Sequence, residues 1–141
     1  MTREEFQIQH STLIEHYQFI EMHLEGIYAT LADKPFLNGL QDVEYDSINR
    51  IIHAIQKEES RIKLSIFTED EYQHLYQVLK RRNFWCHECY TTLLFDARTD
   101  APKKAEDIQE MYDDLYAAAS LREDLYQKKV FLMRSRKPLF V

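Results

Sequence analysis

Two glycines and three prolines leave this 141-residue chain few places to turn. A many-stranded sheet reverses direction every several residues and draws on such residues to do so, whereas a few long helices need them only at their ends. The expected fold class is all-α: an antiparallel four-helix bundle with long first and last helices, one helical domain spanning 1–141. At 45% hydrophobic and 13% aromatic, the chain has enough to bury for a core of that kind and is no disordered segment.

The hydrophobic spacing locates the helices. Leu13, Tyr17, Ile20, Leu24, Ile27 and Leu31 recur at alternating intervals of four and three, one stripe of a first helix over about 4–32 that Phe6 and Tyr28 widen. Asp33-Lys34-Pro35 ends it, and Asn38-Gly39 reads as a turn. A second helix is expected over about 42–64, with Ile48, Ile51, Ile52, Ile55 and Ile62 inward. Thr68-Glu69-Asp70-Glu71 has the form of a capping box and opens a third over about 69–95. After the polar connection from Asp96 to Lys104, Asp100 is a candidate N-cap with Pro102 in the first turn. The fourth helix then runs over about 101–135, burying Ile108, Met111, Leu115, Ala118, Leu121 and Leu125 and stopping before Pro138.

No apolar run approaches the length of a membrane span, and Met1-Thr2-Arg3-Glu4-Glu5 lacks a signal-peptide core. Together with two cysteines only three apart, this points to a reducing cytoplasm and no membrane partner. The net charge of −6 argues against a generic nucleic-acid coat protein, yet it is unevenly spread. Residues 1–78 carry 6 basic and 14 acidic side chains, and residues 79–141 carry 12 and 10. Lys128, Lys129, Arg134, Arg136 and Lys137 leave the last fifteen residues without an acid, which fits a solvated tail or a polyanion contact equally.

One segment breaks the pattern. On the third helix Leu75, Leu79, Cys86 and Leu93 share a narrow inward arc, and Arg82 falls in its middle. An arginine there needs a partner, because an unpaired buried charge costs several kcal/mol or more. Asn83 and His87, four apart, share an adjacent arc with Tyr90 and Leu94. A guanidinium, an amide and an imidazole thus interrupt a helix otherwise built for packing, and local rules fail most often at functional or interface positions.

Arg82-Asn83-x-x-x-His87 resembles the Arg-x4–6-His motif of the HEPN superfamily, in which a polar residue, often Asn, follows the arginine. Leu79-Lys80-Arg81 before it and Glu88-Cys89-Tyr90 after it read like motif neighbours in that superfamily. Phe19-Ile20-Glu21 on the first helix resembles an acidic position of many members. The layout covers most of the chain, and the specific match covers about ten residues. The loose pattern alone selects little, since Arg3-x6-His10 and Arg81-x5-His87 satisfy it too. In a toxin branch of the family a tyrosine, modified by a partner nucleotidyltransferase, stands two residues after the histidine. Here that position is Cys89 and Tyr90 follows it, which sets this chain apart from that branch.

The resemblance implies a metal-independent endoribonuclease in a toxin, abortive-infection or phage-defence role, with no cofactor. Cleavage by the RNA 2′-hydroxyl needs a proton acceptor, a proton donor and charge stabilisation on the phosphorane. A histidine, ordinarily titrating near pH 6.5, suits His87 to acid or base work. Arg82 offers a permanent fork for non-bridging phosphate oxygens, and Asn83 orients the imidazole or the phosphate. Lys80 and Arg81 are the expected RNA contacts. The family arrangement is a homodimer with two motifs facing across one cleft, and a cognate antitoxin is an expected further partner. The competing class is a non-catalytic helical interaction protein with an idle motif, in which Arg82 is sealed in a salt bridge and His87 is inaccessible.

Cys86-His87-Glu88-Cys89 invites a zinc or redox reading. Zinc needs four ligands and there is no second cysteine pair; His16 and His23, seven apart on one helix face, could contribute, but no spacing requires it. Two small side chains packed in a bundle is the favoured reading. His10, His53 and His74 read as surface or core-edge residues. Tyr112, Tyr116 and Tyr126 on the fourth helix fit core or dimer interface better than base stacking.

Overall fold

The computed structural model describes residues 1–136. They form an all-α structure: α1 (Arg3–Leu31), α2 (Phe36–Val43), α3 (Ile48–Ile62), α4 (Glu69–Asn83), a π-helical segment (Phe84–Glu88), α5 (Cys89–Thr92) and α6 (Ala105–Arg136). No helix among the described residues is long and apolar enough to cross a membrane. Lys137, read as part of a basic solvated tail or polyanion contact, and Pro138, read as a helix stop, lie outside the described residues.

Two compact units divide these elements, and the division falls inside α1 and α6. One unit comprises residues 1–18 and 70–121. Phe6, Leu13 and Tyr17 from α1, Tyr72, Leu75, Val78 and Leu79 from α4, and Met111, Ala118 and Leu121 from α6 form its core, with Trp85 and Cys89. The N-terminus of α1 is closed by a reciprocal box: Glu5 N–H donates to Thr2 Oγ1 (3.1 Å) and Thr2 N–H to Glu5 Oε2 (2.8 Å).

The other unit comprises residues 19–69 and 122 onward. Ile20, Leu24, Ile27 and Leu31 of α1 are buried there with Val43, Ile48, Ile51, Ile52, Ile55, Phe67, Leu125 and Leu132. The four isoleucines of α3 contribute about 6–12 kcal/mol by burial, against the few tenths of a kcal/mol per residue over which helix propensities differ. Packing therefore holds this helix. At the end of α1, Arg61 donates from Nη2 to the Leu31 carbonyl (3.0 Å), placing a cation at a helix C-terminus.

Three expected boundaries are corrected. Asn38-Gly39 is no turn but the middle of α2, because Gly39 lies against α1: a Cβ there would come within 2.9 Å of the Ala29 Cα. The glycine provides close helix approach, not a reversal. The second expected helix begins at Ile48, not near 42, since Ser47 is extended and its hydroxyl caps the Arg50 amide (3.3 Å). The fourth begins at Ala105, not near 101. Asp100 is left-handed (φ 52°) and no N-cap, while Pro102 pairs with Phe95 in an isolated bridge. That connection is closed by Asp96 N–H to the Ala101 carbonyl (2.9 Å) and Lys103 N–H to the Leu94 carbonyl (2.8 Å). The Asp96 carboxylate accepts the Arg98 and Thr99 amides, which hold it below the usual carboxylate range. The Tyr112, Tyr116 and Tyr126 side chains are exposed, because Met111, Ala118, Leu121 and Leu125 fill the buried stripe of α6.

Candidate functional site

The third expected helix does not continue regularly to 95. At Phe84 the α-helical ladder widens to π-helical for five residues, so the resembling motif straddles the change from α4 into the π segment. Single π turns commonly form where a side chain engages the backbone ladder. Here that side chain is His10 of α1, whose Nε2 lies 2.9 Å from the Trp85 carbonyl. A carbonyl only accepts, so the proton is on Nε2. The Cys89 thiol donates to the same carbonyl (3.4 Å). The His10 ring stacks with Phe6 at 5.7 Å and meets Tyr90 edge-on at 5.6 Å, which fixes its plane.

Arg82 and Asn83 are the last two residues of α4, and His87 lies within the widened segment that follows. Asn83 and His87 are exposed and Arg82 is half-buried, its Nη1 3.4 Å from Asn83 Oδ1. Trp85, only 1% exposed, goes inward, and Cys86 is left half-buried where the periodicity had put it in the core.

Beneath this surface trio lies a clamp that spacing alone did not suggest. Asp114 of α6 accepts through Oδ2 from Arg81 Nε and from Trp85 Nε1, both at 2.7 Å. Arg81 also lies 3.4 Å from Glu110 and stacks over the Phe84 ring at 4.7 Å. Of the two expected RNA contacts, Lys80 is thus exposed while Arg81 is engaged with α6. Tyr17 is buried beside this clamp, and its hydroxyl finds no hydrogen-bond partner among the described residues. Burial, then the Asp114 charge, push its phenol well above the ordinary range.

The remaining candidates are dispersed. Cys89 is buried, which pushes its thiol up and keeps it protonated. His53 and His74 are exposed. His23 is buried and accepts at Nδ1 from the Lys129 ammonium (2.9 Å); desolvation, then the Lys129 charge, lower it to about 4. Among the described residues no three His, Cys, Asp or Glu side chains converge as a metal site. His10 and Asp114 were missed as site residues. The signal available for His10 was its place one turn from Phe6 on the buried stripe; Asp114, within an acidic helix, offered none.

No family model, curated protein or solved structure matches the chain.

Proposed function

We propose that the protein is a metal-independent endoribonuclease of HEPN type, a four-helix-derived cytoplasmic domain with a toxin, abortive-infection or phage-defence role. His87 moves the proton, Arg82 stabilises the phosphate and Asn83 orients one or the other. The observation that carries this reading is the exposure of His87 and Asn83 at a π-helical turn, with the half-buried Arg82 guanidinium 3.4 Å from the Asn83 amide oxygen. The exposure of His87 speaks against the idle-motif alternative, which requires that ring to be inaccessible.

A single Arg–His pair makes a sparse site, and the active form is a homodimer with two motifs across one cleft. Support comes from Tyr90 (60% exposed) and Leu94 (57%), apolar side chains just beyond the motif that a second copy would cover. Lys80 is exposed for RNA, and an antitoxin is the natural partner of such an activity.

Purified protein is incubated with structured and unstructured RNAs in EDTA. Cleavage by wild type is expected, with losses of about a hundredfold or more in Arg82→Ala and His87→Ala and unchanged circular dichroism. Wild type that cuts none of these RNAs, or His87→Ala that cuts as well as wild type, rejects the enzyme and leaves a helical interaction protein.

A further inference from the structure

α6 carries two consecutive lysines, and the fold sets them in different surroundings. Lys128 donates to the Ile66 carbonyl (2.7 Å) and lies over the Phe67 ring (4.2 Å). Lys129 turns to α1 instead, where its stem crosses Gly26: a Cβ there would come within 2.7 Å of the Lys129 Cδ. The absent side chain makes room for the stem. Nζ is thereby placed 2.9 Å from Nδ1 of the buried His23 and 5.7 Å from the centre of the Tyr126 ring, which is 44% exposed. Lys129 itself is half-buried, so its amine is withdrawn from bulk water without being sealed from it. All of these residues belong to the second unit.

An ammonium withdrawn from water normally takes a carboxylate as its partner. Among the described residues no carboxylate pairs with Lys129. Its partner is an imidazole that stays neutral, lowered to about 4 by burial and then by the Lys129 and Arg122 charges. A neutral amine still has an N–H for that imidazole, so losing a proton leaves the hydrogen bond in place. It also escapes the desolvation that pushes the Lys129 ammonium below the ordinary lysine range. With one N–H fixed on His23, the nitrogen lone pair is aimed away from the ring. Arg122 and Glu123 are the other charges acting on His23, and the positive ones outweigh the negative. An electrophile that carries negative charge is therefore favoured, and a small one reaches a half-buried amine most readily.

We propose that Lys129 is an acyl-acceptor site, cradled by Gly26 and positioned by His23, that takes the acyl group of a small acyl phosphate. The amine lone pair forms a bond to the acyl carbon, the bond from that carbon to the phosphate oxygen breaks, and the phosphate leaves with the electron pair. The proton lost from nitrogen passes to the departing phosphate. The product is an amide whose remaining N–H keeps the His23 hydrogen bond, while the lysine charge is gone.

The test is partial acylation of the full chain with acetyl phosphate, with the rate at each lysine read by peptide mass spectrometry. At about pH 7.5 Lys129 is expected to react at least about threefold faster than the exposed Lys57 and Lys80 and than its neighbour Lys128, and at about pH 10.5, where ordinary lysines also lose their proton, the rates should converge. Gly26→Ala, a substitution that helix propensity favours, pushes the stem out of its cradle and is expected to bring Lys129 down to the rate of Lys57 with circular dichroism unchanged. His23→Gln, whose amide oxygen also accepts, is expected to keep at least about half of the advantage. The neutral donor 4-nitrophenyl acetate should favour Lys129 less than acetyl phosphate does. Lys129 that reacts no faster than Lys57, an advantage equally large at the higher pH, or one untouched by Gly26→Ala overturns the site. An advantage lost in His23→Gln overturns the positioning role, and equal preference with the neutral ester overturns the anionic donor.

Discussion

Asp114 shows most clearly what one side chain does here. Its Oδ2 serves both the Arg81 guanidinium and the Trp85 indole, so it joins α6 to both the α-helical and the π-helical part of the segment that carries Arg82 and His87. Asp114→Asn keeps the shape but removes the charge opposite a partly exposed arginine. The expected loss is about 1–3 kcal/mol by urea denaturation, below the cost of breaking a fully buried pair because water screens this one. Trp85→Phe leaves the ion pair but removes both a donor and ring volume from a fully buried site, and is expected to cost about 2–4 kcal/mol. No loss in Asp114→Asn would show that the ion pair contributes nothing beyond the indole contact. The periodicity of the sequence singled out Arg82 as the cation on the apolar stripe, and Arg82 is half-buried. That Arg81, one residue earlier, holds the cross-helix pair depends on an acid thirty-three positions away, and no local pattern encodes that distance.

At the scale of elements, the π segment and α2 are where local reading and tertiary packing part. An N–H four residues on and one five residues on compete for each carbonyl, and His10 tips that competition at Trp85 by taking up part of its acceptor capacity. His10→Ala is expected to speed amide exchange across residues 85–90 and to lower RNA cleavage about tenfold, less than His87→Ala does. His10→Gln, which keeps an N–H donor, is expected to recover much of both. Unchanged exchange in His10→Ala would mean that the π turn is held by Trp85 alone. In α2, Gly39→Ala meets backbone at 2.9 Å with nothing flexible to yield, and a loss of about 1–3 kcal/mol is expected by thermal or chemical unfolding. A neutral or stabilising result, as helix propensity by itself would give, would mean that α1 and α2 separate without cost. The ends of α1 and the start of α4 were legible because caps and periodicity are local. The helical state of Asn38-Gly39 was not, since a glycine selected for close approach looks the same in sequence as one selected for a turn.

For the molecule as a whole, stability is expected to fall with acidity through His23. The imidazole is neutral in the fold, accepting from Lys129, with its pKa lowered to about 4 first by burial and then by the Lys129 and Arg122 charges. Unfolded, it titrates near 6.5. Between those values the unfolded chain binds the extra proton, so the contribution is complete above about pH 6.5, declines as pH falls and levels off below about 4. The full span is at most about 3 kcal/mol. Urea unfolding at pH 7 and at pH 4.5 should show a smaller difference in His23→Gln than in wild type, and equal differences would remove His23 as the cause. By itself the sequence determined the helical class, the stripes and the oddness of Arg82 to His87, because each depends on residues within two turns of one another. Only the tertiary structure decided the π turn, the Arg81–Asp114–Trp85 clamp and the isolation of the Tyr17 hydroxyl. Those depend on which groups meet across α1, α4 and α6, and a hydrogen bond or an ion pair is set by distance in space, which periodicity along the chain does not record.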